Sequence, residues 1–219
     1  MGFLIKIAGK SVDEVELFLD IAVENIIEGK IFAFPTDSVY GLGGDPTNLA
    51  VADRLYTLKF RERSKGFLLL VSDIEEAKKI AVFNECANKL AAKFWPGQLT
   101  LILEKRAPYQ ISAEVTGNEK TIGLRVPKNE LILRILHKLK EVDRLGVIIG
   151  TSANYSGEPP CVSGEEVSRK FLGPIDLIID SGTTKSQVAT TIVDCTQENP
   201  KILREGIISE DNIMKVLNE

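Results

Sequence analysis

Short apolar runs alternate with segments of helical periodicity along most of the chain. The apolar runs predict strands at residues 5–7, 31–34, 67–71, 99–104, 121–126, 147–150, 177–179 and 190–194. Between them, the periodicity predicts helices at residues 11–28, 49–58, 75–81, 85–94, 130–140, 167–171 and from 210 onward. Apolar strands bounded by amphipathic helices predict an α/β fold, with a twisted, mixed or largely parallel sheet and helices on its faces.

Local signals set the ends of several elements. Ser11 and Glu14 have the spacing of a capping box before the first helix, and Gly29 follows that helix as a stop signal. A second capping box is predicted at Ser72, before the helix at residues 75–81. Pro35 ends the strand at residues 31–34 and opens a loop.

Composition limits the class of protein. A chain of 219 residues can bury a core as one domain, so we expect a single domain over residues 1–219. The share of hydrophobic residues, 44%, and of charged residues, 26%, is that of a globular protein and excludes a disordered chain. No stretch approaches the ~20 apolar residues of a membrane helix, and no signal peptide is seen, so we expect a cytoplasmic protein without a membrane partner.

The cysteines and the one histidine offer little chemistry. Cys86, Cys161 and Cys195 are dispersed, which disfavours a zinc site or a thioredoxin-type pair and is typical of reduced, buried thiols. His137 lies within a predicted helix, where an ordinary helix residue is the simpler interpretation. A single histidine also disfavours a histidine-based metal site or a Ser-His-Asp triad.

Two segments place hydroxyls or a cation at predicted strand ends, where α/β sheets hold ligands. Residues 35–44 offer Thr36 and Ser38 beside glycines that let backbone approach a ligand. A plain turn explains the same residues equally well. Arg125 interrupts an otherwise apolar strand, so it needs a carboxylate or phosphate partner. A structural ion pair and a ligand contact remain equally open for it.

Two further segments suit an anionic ligand. Residues 54–65 carry five basic side chains and one acid, within a protein whose net charge is −4. Such a cluster in an acidic protein needs an anionic partner or internal acids, so phosphate binding is favoured here over a solvated helix end. Because no Walker loop is present, side-chain cations would hold any triphosphate. Residues 150–160 place three hydroxyls and an amide directly after a strand, which suits phosphate and ribose contacts or a capping turn. None of the four segments holds a thiol, a histidine or a carboxylate pair. Phosphoryl or nucleotidyl transfer needs no protein nucleophile and fits that set.

Taken in order, these segments resemble the YrdC-like threonylcarbamoyl-AMP synthase family. The resemblance is carried by PTDSVYGLG, KFR followed by KGFLLL, FWPGQLTLIL, TIGLRVP, TSANYSG with a following PP, TTIVD and ILREG. It implies a YrdC-type fold with an open concave site. It also implies that L-threonine, bicarbonate and ATP, with Mg²⁺, give threonylcarbamoyl-AMP and pyrophosphate. A separate transferase would use that product to modify tRNA.

The resemblance also implies roles for individual residues. As ATP contacts it implies Lys59, Arg61, Arg63, Thr121, Ser152, Asn154 and Arg204. As contacts to threonine and its carbamate it implies Thr36, Arg125 and Thr190. Lys59 and Arg61 would stabilise the charge of the departing pyrophosphate, and Arg125 would hold the amino-acid carboxylate with a bidentate fork.

The chain departs from the family pattern at several positions. Glu62 replaces a proline, Leu70 replaces a histidine, and Gln98 stands in place of another proline. Some of its motifs are closer to the YciO-like paralogues. Two alternatives therefore stay open: a YciO-like paralogue without robust synthesis, and a module that binds tRNA or double-stranded RNA through the basic segment. The acidic net charge and the few aromatic residues at that segment count against RNA binding.

Overall fold

The computed structural model describes residues 2–108, 111–171, 173–184 and 188–218. Within these ranges the strands are β1 (Phe3–Lys6), β2 (Phe32–Phe34), β3 (Gly41–Gly43), β4 (Leu68–Val71), β5 (Ala81–Val82), β6 (Leu99–Lys105), β7 (Thr121–Arg125), β8 (Val147–Ser152), β9 (Leu177–Asp180), β10 (Thr191–Asp194) and β11 (Lys201–Arg204). The helices are α1 (Glu16–Ile27), α2 (Leu49–Lys59), α3 (Ile74–Ile80), α4 (Glu85–Phe94), α5 (Ala113–Thr116), α6 (Glu130–Glu141), α7 (Gly164–Lys170) and α8 (Glu210–Asn218). No helix in these ranges is both long and apolar enough to cross a bilayer.

The strands form one mixed sheet, as the sequence predicts. Its order is β1-β9-β2-β3-β8-β4-β7-β6-β10-β11, and β5 pairs with β6 outside this path. Among the described residues the parallel pairs are β1–β9, β2–β9, β4–β7 and β6–β10. The six other pairs are antiparallel, a larger share than the sequence suggests. Part of the reason is the short connection from β2 to β3, which is too short for a parallel crossover.

Apolar side chains of the sheet alternate between two cores. Leu69 and Val71 of β4 belong to the larger core, which is covered by α2, α3, α4, α7 and α8. Leu70, between them, belongs to a smaller core formed with α1 and α6, whose Leu19 and Ile132 are fully buried. This alternation follows from the two-residue period of a strand. It places every second residue of the central strands on the face of α1 and α6.

Helix ends follow the predicted chemistry with small shifts. The Ser11 hydroxyl accepts from the Glu14 amide, and the Glu14 carboxylate accepts from the Ser11 amide at 2.8 Å, so the capping box is confirmed. A 3-10 turn over Asp13–Val15 then precedes α1. Before α3, the capping residue is Asp73 and not Ser72, because the helix starts at Ile74 and the Asp73 carboxylate accepts from the Glu76 amide.

The sequence predicts a loop where the structure has strand β3. Its three residues pair with β2, and Gly41 and Leu42 also pair with β8, which brings the preceding turn to the middle of the sheet. Gly41 and Gly43 leave the room that this packing needs, since a Cβ on Gly41 would lie 2.7 Å from the Phe34 ring. The loop between β2 and β3 is therefore fixed at the end of β8.

Candidate active site

A cavity of about 360 Å³ lies where β2, β4, β7 and β8 meet the loop before β10. The predicted site residues that line it are Thr36, Arg61, Arg125, Ser152, Thr190 and Arg204. The volume suits a small-molecule site. A larger groove of about 770 Å³ lies beside α1 and α6, but charged groups there pair with each other, as Arg134 does with Glu16 at 2.9 Å.

Arg125 joins the cavity to a buried ion pair. Its side chain is only 7% exposed, its Nη2 contacts the Asp37 carboxylate, and its Nε donates to the Gly97 carbonyl at 2.9 Å. Burial lowers the pKa of Arg125, and the charge of Asp37 opposes that shift. The two interpretations left open by the sequence are thus compatible. Arg125 has an internal carboxylate partner and also faces the cavity.

Asp37 is a site residue that the sequence did not single out. Gln98 supports it from the neighbouring segment, because its Nε2 donates to the Asp37 main-chain carbonyl at 2.7 Å. An acidic residue inside a turn motif gives no signal of its own. Its partner on β7, 88 residues later in the chain, is what defines its role.

Arg204 and Thr190 form the opposite wall. Arg204 donates through Nε and Nη2 to the Thr190 carbonyl at 3.0 and 2.8 Å, and through Nη2 to the Thr190 hydroxyl at 2.9 Å. Burial lowers the pKa of Arg204. The structure therefore brings together a predicted ATP contact and a predicted threonine contact, with the guanidinium held against the backbone before β10.

Lys59 lies beneath the cavity instead of at its surface. It is 1% exposed, and its Nζ donates to the Ser152 carbonyl, to the Asn154 carbonyl at 2.6 Å and to the Asn154 Oδ1 at 3.4 Å. Burial, and secondarily the charge of Arg61, lowers the pKa of Lys59 to about 7. The expected direct phosphate contact is not what this geometry gives. The ammonium instead donates to carbonyls at the end of β8 and in the loop that follows, and so stabilises the conformation of that loop.

Arg61 and Arg63 point to different surroundings, although only Glu62 lies between them. Arg61 lines the cavity, and its Nε donates to the Gly66 carbonyl at 2.9 Å while burial lowers its pKa. Arg63 is exposed and pairs with Asp53 at 2.6 Å. Its predicted contact with ATP is not supported, because the guanidinium is paired away from the described cavity lining.

Two other predicted ATP contacts also lie outside the described lining. Thr121 begins β7, four residues before Arg125, and so lies roughly 13 Å along the strand from it. Asn154 uses its side chain within its own loop: Oδ1 accepts from the Ser152 hydroxyl at 2.5 Å, and Nδ2 donates to the Tyr155 and Glu158 carbonyls. Asn154 shapes the loop that presents Ser152, and Thr121 lies at the opposite end of β7 from Arg125.

Thr36 stabilises the turn at the cavity wall. Its hydroxyl donates to the Val39 carbonyl at 2.7 Å and accepts from the Ser38 amide at 3.0 Å. Tyr40, another lining residue, donates to the Gly182 carbonyl and to Asp180, and burial raises its pKa to about 12. Thr36 thus stabilises the β2–β3 loop from within, and Tyr40 ties the end of that loop to the segment at the end of β9.

The sequence did not predict the apolar side of the cavity. Its members are residues of the central strands, which looked like ordinary core: Phe34, Leu68 and Leu70. Gly150 and Thr151 complete the wall along β8. Only the order of strands in the sheet brings these positions to the three arginines.

The expected Mg²⁺ finds no protein-ligand set of its own. Within the described residues, no three His, Cys, Asp or Glu side chains are grouped to hold a metal ion. The Asp37 carboxylate beside the cavity is engaged by Arg125. Mg²⁺ is therefore considered only as part of the MgATP substrate.

Comparisons with known proteins place this fold among relatives. The family model Sua5/YciO/YrdC, described as telomere recombination, matches residues 24–206. Threonylcarbamoyl-AMP synthase of Pyrococcus abyssi is 36% identical over 200 residues, which cover 91% of this chain and 57% of that protein. The crystal structure of Pyrococcus abyssi Sua5 complexed with L-threonine has a TM-score of 0.87 and 32% identity, covering 99% of this chain and 61% of that one. The crystal structure of Escherichia coli YciO has a TM-score of 0.77 and 26% identity, covering 94% of this chain and 96% of that one.

The chain spans a little more than half of the Pyrococcus relative and nearly all of YciO. The family model covers well over half of the 219 residues, and it includes every predicted site residue from Thr36 to Arg204. The motifs, the fold and the cavity agree with this match, and the chain belongs to the Sua5/YciO/YrdC family.

Proposed function

We propose that the chain is an L-threonylcarbamoyladenylate synthase, a nucleotidyltransferase that makes threonylcarbamoyl-AMP and pyrophosphate from L-threonine, bicarbonate and MgATP. The observation that carries the proposal is the convergence of Arg61, Arg125 and Arg204 on one cavity beside hydroxyl groups. All three substrates are anionic or carry a carboxylate. Partly desolvated guanidinium groups bind such oxygens strongly and with defined geometry.

The amino-acid end of the site is assigned to Arg125, Thr36 and Thr190. Asp37 holds the Arg125 guanidinium from one side, and the cavity offers the carboxylate of threonine a place at the other. The Pyrococcus abyssi relative of known structure was solved with L-threonine, which supports an amino-acid site in this fold.

The nucleotide end is assigned to Arg61, Ser152 and Arg204, with Lys59 acting through the loop after β8. The Lys59 ammonium fixes the carbonyls of Ser152 and Asn154, so the Ser152 hydroxyl is presented in a defined position. Arg61 carries charge to the cavity wall, where it can stabilise the departing pyrophosphate.

The proposed reaction is balanced by loss of water and pyrophosphate. The threonine amine attacks the carbon of bicarbonate, and water leaves to give a carbamate. A carbamate oxygen then forms the bond to the α-phosphorus of ATP as the bond to pyrophosphate breaks. In this scheme the protein positions the two anions, supplies positive charge and limits hydrolysis of the labile carbamate.

Release of pyrophosphate tests the proposal. Purified protein with L-threonine, bicarbonate and MgATP should release pyrophosphate, and omission of either bicarbonate or threonine should abolish the release. Arg125→Ala should lose most of the activity. Arg134→Ala, a surface arginine on α6 that pairs with Glu16, is the matched control. Pyrophosphate release from the complete mixture that does not exceed the background would refute the proposal.

The product would be used by a separate transferase that modifies tRNA in the cytoplasm. The same pyrophosphate assay distinguishes a YciO-like paralogue, which would bind the ligands without robust synthesis. For direct tRNA binding, a gel-shift salt titration is the test. An RNA-binding module would bind without ATP and weaken steeply with salt.

A further inference from the structure

Three apolar side chains on the cavity wall each lie over a glycine of a neighbouring strand. A Cβ on Gly150 would lie 2.6 Å from Leu70 Cγ, and one on Gly41 would lie 2.7 Å from Phe34. A Cβ on Gly123 would collide with the end of Leu68. The side chains of Phe34, Leu68 and Leu70 therefore lie against bare backbone, and together they form an apolar floor to the cavity.

This floor lies directly beside the guanidinium assigned to the carboxylate. Leu70 and Arg125 are Cα partners in the parallel pair β4–β7, so their Cα atoms are about 4.8 Å apart and their side chains share a face. A carboxylate held by Arg125 places the substituent on its α-carbon within reach of Leu70.

Two of the hydroxyls that line the cavity have partners within the protein. The Thr36 hydroxyl donates to Val39, and the Thr190 hydroxyl accepts from Arg204. Apolar contact is therefore the recognition that the floor offers to a substrate side chain.

We propose that this apolar floor selects the side chain of the amino-acid substrate by contact with a methyl group on its β-carbon, and that Leu70 is the specificity-determining residue. The inference rests on the proposed function, since it takes Arg125 as the carboxylate contact. It extends that function by naming what distinguishes threonine from serine, which has the same hydroxyl and lacks only the methyl.

Direct binding of L-threonine and L-serine, measured by calorimetry, tests the inference without requiring turnover. The protein should bind threonine ~4-fold more tightly than serine, the factor expected for burying one methyl-sized group. In Leu70→Ala the two affinities should become nearly equal. Leu70→Met, which conserves the volume, should keep the preference.

The control is Leu69→Ala, the same truncation one residue earlier on β4. Leu69 faces the larger core, so this variant should lower the unfolding temperature and leave the threonine-to-serine ratio unchanged. If Leu70→Ala does not fold, Leu70→Val provides the same comparison with a smaller loss of contact.

The outcomes separate the two ideas. Equal affinities in the unmodified protein, or a ratio unaffected by the Leu70 variants, would overturn the role of the floor and leave the synthase proposal standing. Binding of neither amino acid would overturn both.

Discussion

Replacing Asp37 by asparagine should destabilise the protein through Arg125. The substitution keeps the size of the side chain and one acceptor oxygen, but it removes the charge that faces a buried guanidinium. The two side chains are only 11% and 7% exposed, so solvent cannot replace the lost partner without rearrangement. Breaking a buried pair in this way costs about 3–5 kcal/mol.

We expect the lower end of this range. The Gly97 carbonyl still accepts from Arg125 Nε, and the guanidinium borders a cavity that water can enter. A loss of about 3 kcal/mol in a domain of this size corresponds to a decrease of about 6–12 °C in the unfolding temperature.

Urea unfolding at pH 7, followed by circular dichroism, measures the free energy directly. Asp53→Asn is the matched control, because Asp53 pairs with Arg63 at an exposed position and the substitution there should cause no measurable change. If Asp37→Asn lowers the free energy of unfolding by less than about 1 kcal/mol, its effect approaches that of an ordinary surface substitution. That result would refute the argument that Asp37 neutralises a buried charge.

Three further predictions concern other parts of the site. The pKa of Lys59 is about 7 in the folded protein and 10.5 in the unfolded chain, so unfolding takes up a proton between these pH values. The free energy of unfolding, measured in urea and compared with that of Lys59→Met, should therefore rise from pH 7 to 10.5. The same dependence on pH in both proteins would contradict this. Arg125→Ala should weaken binding of L-threonine by about 1.5–3 kcal/mol and binding of MgATP far less, while Lys59→Ala should do the reverse. Calorimetry that finds equal effects on the binding of both ligands would reject the assigned roles. Thr191→Val should lower the free energy of unfolding by about 1–3 kcal/mol, because the buried hydroxyl donates to the Ile208 carbonyl and accepts from the amides of Gly206 and Ile208. An unchanged unfolding temperature would show that water takes the place of the hydroxyl.

The periodicity of apolar residues and the helix-capping signals were sufficient to predict most of the strands and helices. The long, strongly patterned helices α1, α4 and α6 and the apolar strands β4, β6 and β8 lie close to their predicted positions. The elements that were missed are short, β3, β5, α5 and β11, and they form because neighbouring strands or helices are in place. Local sequence carries little information about such pairings.

The site was predicted only in part, because some of its contacts also depend on the fold and not on local sequence. Hydroxyls and cations at strand ends indicated Thr36 and Arg125, and the family resemblance added Thr190; all three line the cavity. The sequence could not show that Lys59 points inward while Arg61 lines the wall, since both belong to one basic run at the end of α2. It could not identify Asp37 or Leu70 either, because each acquires its role from a partner on β7 that only the fold supplies.

The position of β8 has a consequence for how ligand binding can be observed. This strand is hydrogen-bonded on both sides, to β3 and to β4, near the middle of the sheet, and it carries Gly150, Thr151 and Ser152 to the cavity. Its amides can exchange with deuterium only when much of the sheet opens. Bound substrate should therefore slow exchange across the whole sheet by a common factor that follows ligand saturation, in contrast to protection confined to a flap or hinge.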